Sequence, residues 1–272
     1  MAVYGTILLH IGEAKEKLMN KTRLLGVLSL VLLTAMLAGC GGGVVNKDLE
    51  CEGDYALVSV DDQPLNDLLE GWSIRLVKHD AGYYLVEWLE DIDGKLQPIT
   101  DASGMVWQDA GIAFGDDLLA IGSIDGPMVM VLRVGEGNMS GCYAAYGEDE
   151  VHQLHAVGDG GDAFPEFPKL EELDKDGVFD VRGDNPPPQE DTYYEGIFRL
   201  EKHGKVVYNQ QDITTGYIEQ DPFAGVGLVA EGTLVLVTGP YLAVYGGGDG
   251  DWEGMWVEAG NEALAAEELH LQ

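Results

Sequence analysis

Trp72-Ser73-Ile74-Arg75-Leu76-Val77-Lys78-His79 sets apolar Trp72, Ile74 and Leu76 at every second position, the period of a β-strand that turns one face to a core. After the turn signal Asp80-Ala81-Gly82 comes Tyr83 to Trp88, rich in aromatic and β-branched residues and readable as the partner strand. Working outward, Asp93-Gly94, Gly115-Asp116-Asp117, Asp125-Gly126 and Gly135 to Asn138 cut the chain at hairpin spacing. The pattern predicts an antiparallel meander. Helical periodicity is confined to Glu262 to Glu268.

The opening stretch recurs. Arg75-Leu76-Val77-Lys78-His79 matches Arg199-Leu200-Glu201-Lys202-His203, and Ala110-Gly111-Ile112 matches Ala224-Gly225-Val226. A third block, Gly137-Asn138-Met139-Ser140-Gly141-Cys142-Tyr143, matches Gly250-Asp251-Trp252-Glu253-Gly254-Met255-Trp256 in the same order. We read two copies of one domain, 53 to 157 and 178 to 272, joined by an acidic linker, 158 to 177, that holds Pro165 and Pro168. Each copy has room for about eight short strands, enough to close a barrel and remove its edges. The expected fold is therefore all-β: two tandem small antiparallel up-and-down β-barrels, packed together. Packing is expected because Met128-Val129-Met130-Val131-Leu132, Leu234-Val235-Leu236-Val237 and Tyr241-Leu242-Ala243-Val244-Tyr245 are apolar on both faces, which a wall with one wet side is not. Being equivalent strands, they should cover each other in a pseudo-twofold arrangement.

The second copy, with Phe179 to Pro186, Tyr194-Glu195-Gly196, Gly225-Val226-Gly227 and Trp252-Glu253-Gly254-Met255-Trp256, resembles a repeat found in exported bacterial proteins of unknown role, some labelled fibronectin-binding. The first copy lacks the Gly-x-Gly pair and fits loosely. A more distant similarity is to lipocalin and avidin-like barrels, which implies a small ligand in the barrel mouth. Neither resemblance carries a catalytic residue across.

Ahead of the barrels, Lys21 and Arg23 introduce an apolar run, Leu24 to Leu37, that ends in Leu37-Ala38-Gly39-Cys40. The four residues resemble the lipobox of bacterial lipoproteins, which implies lipidation of Cys40, removal of residues 1 to 39 and a membrane anchor through the lipid. The run is too short to span about 30 Å of hydrocarbon by itself. Glu13 and Glu16 do not belong in the charged section of a signal, so Met19 is the expected start. Residues 40 to 52, opening with Gly41-Gly42-Gly43, read as the lipidated tether. Gly41 is not the aspartate that holds lipoproteins in the inner membrane, which implies the outer membrane.

The full chain carries 15 basic and 48 acidic residues, and cleavage before Cys40 leaves 11 and 46, a formal charge of −35. Such a surface repels nucleic acid and suits cations, basic partners or a salty medium. With Cys40 taking lipid, Cys51 and Cys142 remain, and the expected compartment would let them pair as a disulfide. A bond across about 90 residues would contribute roughly 4 kcal/mol in chain-entropy models.

Other motifs carry less. Arg182-Gly183-Asp184 spells an adhesion tripeptide but falls where a strand runs into its turn. His152 and His155, near Glu148, Asp149 and Glu150, have ligand chemistry on a segment that should make them diverge, and His79 and His203 sit at equivalent hairpin ends. Asp91 to Gly94, Asp174 to Gly177 and Gly248 to Asp251 have carboxylates and glycine but not a full Ca²⁺ loop, which leaves weak divalent binding and no confident metal or cofactor. Among Ser59, Ser73, Ser103, Ser123 and Ser140 no serine has an evident histidine and carboxylate partner set.

The expectation is a non-enzymatic, lipid-anchored envelope protein with a binding or structural role toward an extracellular protein. A lipocalin-like carrier of a small apolar ligand is the alternative, and a hydrolase the third. An apolar cavity lined by Trp72, Trp88 or Trp252 would favour the carrier. Cys40→Ser should abolish incorporation of a fatty-acid label and leave unprocessed precursor; undiminished labelling would end the lipoprotein reading.

Overall fold

A computed structural model describes residues 44–60, 65, 69–123, 127–161, 163–187, 192–215 and 223–272. Cys40, the signal, Met19 and the Asp125-Gly126 turn lie outside them. The strands are β1 (Gly53–Ser59), β2 (Trp72–Lys78), β3 (Tyr84–Ile92), β4 (Lys95–Pro98), β5 (Gln108–Phe114), β6 (Leu118–Ser123), β7 (Met128–Val134), β8 (Asn138–Ala145) and β9 (His152–Val157). The second half holds β10 (Leu170–Glu171), β11 (Gly177–Asp184), β12 (Tyr193–His203), β13 (Val206–Thr215), β14 (Phe223–Ala230), β15 (Thr233–Thr238), β16 (Tyr241–Gly248), β17 (Asp251–Glu258) and β18 (Ala265–Leu271). No helix occurs among the described residues.

Each half closes on itself. In the first, every strand pairs antiparallel with the next along the chain, β3 going on to β5 with β4 as a side strand, and β1 meets β9 to complete an eight-stranded up-and-down barrel. In the second, β11 to β18 do the same, closed by β11 against β18. Alternation builds the walls: along β11 and β12, Phe179 and Val181, then Tyr194, Phe198 and Leu200, point inward between exposed neighbours.

Where the sequence is apolar on both faces, the two barrels meet. Met130 and Leu132 fill the first barrel while Val129 and Val131 face out, and Leu234 and Leu236 fill the second while Val235 and Val237 face out. The outward set, with Ile112, Phe114, Val226, Leu228, Leu242 and Val244, forms a third core between the barrels. The contacts come in reciprocal pairs: β7 with β14 and β16 with β5, β8 with β14 and β17 with β5, and β6 on β15 at the centre. Since β5 to β8 correspond to β14 to β17, this is the pattern of a twofold relation between the copies. Polar groups stitch the rim, with Arg133 bonding Asp117 of its own barrel and Glu231 across the seam, and the Tyr83 hydroxyl donating to Asn261 O at 2.9 Å.

Four expectations are corrected. Residues 44 to 52 of the tether are docked: Val45 bridges Phe114, Asn46 N–H donates to Ala113 O at 2.8 Å, and the Tyr84 hydroxyl donates to Leu49 O. The 158 to 177 linker is built in as well, because its apolar residues find cores: Leu173 enters the second barrel, β10 pairs with β14, and Phe164 and Phe167 stack on His155. Glu262 to Glu268 does not form a helix. Ala265, Glu267 and Leu269 alternate inward on β18, and the open ladder between β11 and β17 overrides their helix propensity. Finally, Cys51 and Cys142 are free thiols on opposite sides of a wall. Cys51 lies in the interior, whereas Cys142 pairs in register with outward-facing Val131 and shares its face, so no disulfide joins them. Burial pushes each thiol up to about 11, which keeps both unreactive.

Val131 and Val235 are fully buried in the seam. Val131→Asp and Val235→Asp, made separately, should each cost several kcal/mol, by forcing either a buried charge or parting of the barrels. The expected signs are a lower thermal midpoint and new protease cleavage between 158 and 169; unchanged proteolysis would contradict the intramolecular seam.

Candidate functional site: an acidic row in the second barrel

Five strands of the second barrel place Tyr194, Gly183, Glu267, Gly254 and Tyr245 side by side in register. Tyr194 on β12 pairs with Gly183 on β11, Gly183 with Glu267 on β18, Glu267 with Gly254 on β17, and Gly254 with Tyr245 on β16. The glycines make room. A Cβ at Gly183 would lie 2.2 Å from the Tyr194 ring, and one at Gly254 would lie 2.5 Å from the Tyr245 ring. Both rings therefore lie over glycine and reach the strand beyond it, where the Tyr194 hydroxyl donates to Glu267 Oε2 and the Tyr245 hydroxyl to Oε1.

Glu267 is 3% exposed. Burial pushes its carboxyl up to about 7, against the opposing pull of the two phenol hydrogen bonds, and the same burial raises both phenols well above their ordinary value. The two phenols are the titratable groups that bear on it. A carboxylate this deep normally pairs with a cation; here two neutral donors take that place.

Toward the end of the barrel where β12, β14, β16 and β18 begin, the row opens onto aromatic rings. Trp256 stands with its centroid 6.1 Å from Tyr194 at 67° and 5.1 Å from Tyr241 at 80°, and Phe223 lies 6.0 Å from Tyr241. Trp256 is 8% exposed, and its Nε1 has no hydrogen-bond partner in the structure. A buried indole N–H almost always finds one. At the rim, half-buried Glu258 pairs in register with Tyr241, and burial raises its carboxyl.

The first barrel lacks this row. In the same positions Ser59, Leu154, Gly141 and Leu132 lie side by side, so the acid is replaced by leucine and the tyrosine over glycine by a second leucine. Its tryptophans pack together: Trp72 meets Trp88 at 5.5 Å and Trp107 at 6.2 Å, and the buried Trp88 Nε1 donates to Asp109 at 2.6 Å. Trp252 is packed inside the second barrel. Between the barrels a cleft of about 300 Å³ is lined by Phe114, Asp116, Arg133 and Glu231, but its one cation is already held by carboxylates from both sides.

The other sequence candidates fall apart as sites. Arg182 lies over the Tyr193 ring at 4.7 Å within β11, and Gly183 serves Tyr194, so the adhesion tripeptide is wall and not loop tip. His152 stacks on Tyr143 while His155 emerges on the other face against Phe164. His79 packs on Tyr83, and His203 lies 3.3 Å from Asp149 of the first barrel. Asp91 and Asp174 accept backbone N–H groups of Gly94 and Asp249, and no cluster of three metal-ligating side chains occurs among the described residues. One reading missed a pair: Ser140 Oγ lies 3.0 Å from His155 Nδ1. Ser140 is fully buried under this histidine and the rings stacked on it, which leaves no approach to a nucleophile.

Glu267 links stability to pH. Its carboxyl keeps a proton up to about 7 when folded, against 4.5 as the ordinary value, so it favours folding fully at low pH and loses that contribution as pH rises through 7. The loss is about 3 kcal/mol at ~1.4 kcal/mol per pH unit. Glu267→Gln should therefore gain stability relative to the parent between pH 5 and 8 in urea titrations at fixed high salt; a difference independent of pH would contradict a buried titrating acid.

Comparison with family models gives no match, and comparison with curated protein sequences gives none either. Among solved structures, the chain is similar to a DUF3598-family protein of unknown function from Nostoc punctiforme, at 13% identity and a TM-score of 0.22, covering 82% of this chain and 95% of that one.

Proposed function

We propose that the protein is a lipid-anchored, non-catalytic binding protein of the bacterial cell envelope, held at the outer membrane through Cys40, and that it takes a small molecule at the aromatic mouth of its second barrel. The observation that carries this reading is Trp256 Nε1, a buried donor without a partner, set among rings above a buried acid. An apolar enclosure with a few convergent polar groups is the ordinary form of a small-molecule site. The duplication supports it, since the copy with apolar residues in the row serves as a filled support for the copy with the acid.

Native mass spectrometry of protein taken from its host membrane tests the reading. A bound small molecule should accompany the parent and be lost or reduced at least tenfold in Trp256→Phe. A parent that carries nothing, and whose tryptophan fluorescence stays constant across a panel of small amines, alcohols and acids, would overturn it.

A further inference from the structure

We propose that the seam is fastened at two places in different ways, and that the fastening at His203 is a clasp tightened by charge: a protonated His203 holds the loop between β8 and β9 of the first barrel against the second barrel, and a neutral one lets that loop open.

Each barrel rests one loop on one hairpin of the other, as the twofold relation requires. The loop between β17 and β18 sits on the hairpin that joins β2 to β3, where the Tyr83 hydroxyl donates to Asn261 O at 2.9 Å and accepts the Gly260 N–H at 3.1 Å. The loop between β8 and β9 sits on the hairpin that joins β12 to β13. There the Tyr208 hydroxyl donates to Asp149 Oδ1 at 2.9 Å, and the Tyr146 ring meets the Tyr208 ring edge-on at 5.5 Å. Both fastenings use a tyrosine, but the first ends on backbone and the second on a carboxylate.

The histidines at the two hairpin ends are held in opposite states. His79 Nδ1 accepts the Ala81 N–H at 3.2 Å, so that nitrogen carries no proton and the ring is neutral. His203 has a carboxylate against each nitrogen: Asp149 Oδ1 of the first barrel lies 3.3 Å from Nδ1, and Glu201 Oε1 of its own strand lies 3.3 Å from Nε2. A neutral imidazole has one N–H, so it would donate to one of these oxygens and turn a lone pair on the other. The imidazolium donates to both. Loss of the proton therefore breaks a charge-assisted bond and sets two acceptors against each other. Tyr208, pushed up to about 12 by burial and by the Asp149 bond, goes on donating, so the loop is loosened and not released outright.

The remaining charged neighbours do not supply the same contact. In the loop, Glu148 lies 3.3 Å from His152 Nε2 and Glu150 follows Asp149; in the hairpin turn, Lys205 bears on Cys142 of the first barrel. With side chains 33% and 69% exposed, His203 and Asp149 exchange protons with solvent freely, and their bond is of surface strength. The sign is fixed: the clasp is closed at lower pH and loosens as pH rises through the range in which imidazoles lose their charge. The seam is then constant at Tyr83 and adjustable at His203.

Hydrogen exchange of the full chain at pH 5.5 and 8.5, corrected for the intrinsic effect of pH, tests this. Tyr146 N–H bonds Pro127 O and Glu148 N–H bonds Ala145 O, so these amides report opening of the first-barrel loop, while the Gly260 and Asn261 amides of the opposite loop serve as reference. Protection of Tyr146 and Glu148 relative to the reference should be about threefold to fivefold greater at pH 5.5 than at 8.5. His203→Gln should remove this pH dependence, and His152→Gln in the same region should leave it. A ratio that does not change with pH in the parent overturns the clasp, as does a pH dependence that survives His203→Gln or vanishes in His152→Gln.

Discussion

Strands that are apolar on both faces impose the constraint from which this structure follows. β5 to β7 and β14 to β16 each fill a barrel with one set of side chains and present a second apolar set outward. Left in water, that second set would form the kind of contiguous apolar patch that soluble proteins avoid. A duplicated domain solves this at once, because a surface related by a twofold axis to its own copy meets a like surface. Each fully buried valine or leucine contributes about 1.5–3 kcal/mol, so the seam holds the copies as one body. The docked N-terminal segment and the 158 to 177 segment extend the same logic, since their apolar residues find cores at the seam or at barrel ends.

With the outer faces committed to holding the copies together, the interiors are where the copies can diverge. Leu132 lies over Gly141 in the first barrel just as Tyr245 lies over Gly254 in the second. The backbone accommodation is therefore shared, and the chemistry placed on it is not. Replacing Leu154 with Glu267 at the matching position changes a hydrocarbon plug into an ionisable group whose proton is poised near neutrality. Polar groups in such a setting are costly when unsatisfied and specific when satisfied. The unpartnered Trp256 N–H lies above this row, where satisfaction from within the fold stops for the second barrel's interior among the described residues.

Much of this was legible in the residues. Trp72, Ile74 and Leu76 announced the strands, the Arg75 and Arg199 blocks announced the duplication, and Val129, Val131, Val235 and Val237 announced the seam. Glu267 was not legible, because Ala-Ala-Glu-Glu favours helix by local propensity and the alternation of Ala265, Glu267 and Leu269 is short. A usable signal did exist in Gly183 and Gly254. Each is an inward-facing glycine within a strand, Gly254 in the middle of β17 and Gly183 next to the end of β11, where a side chain would normally pack, and such a position marks the close approach of something large. The Cys51 and Cys142 pairing failed for a similar reason, since sequence separation says nothing about which side of a wall a side chain takes.

The account depends on one ionisable carboxyl at the centre of the second barrel. Carboxyl-labelled ¹³C-glutamate NMR across pH 4 to 9 measures it without reference to stability or binding. The account predicts one glutamate resonance titrating near 7, apart from the others, that disappears in Glu267→Gln. If the only resonance lost in that variant titrates in the ordinary carboxylate range, the buried row is not the chemical centre of this protein.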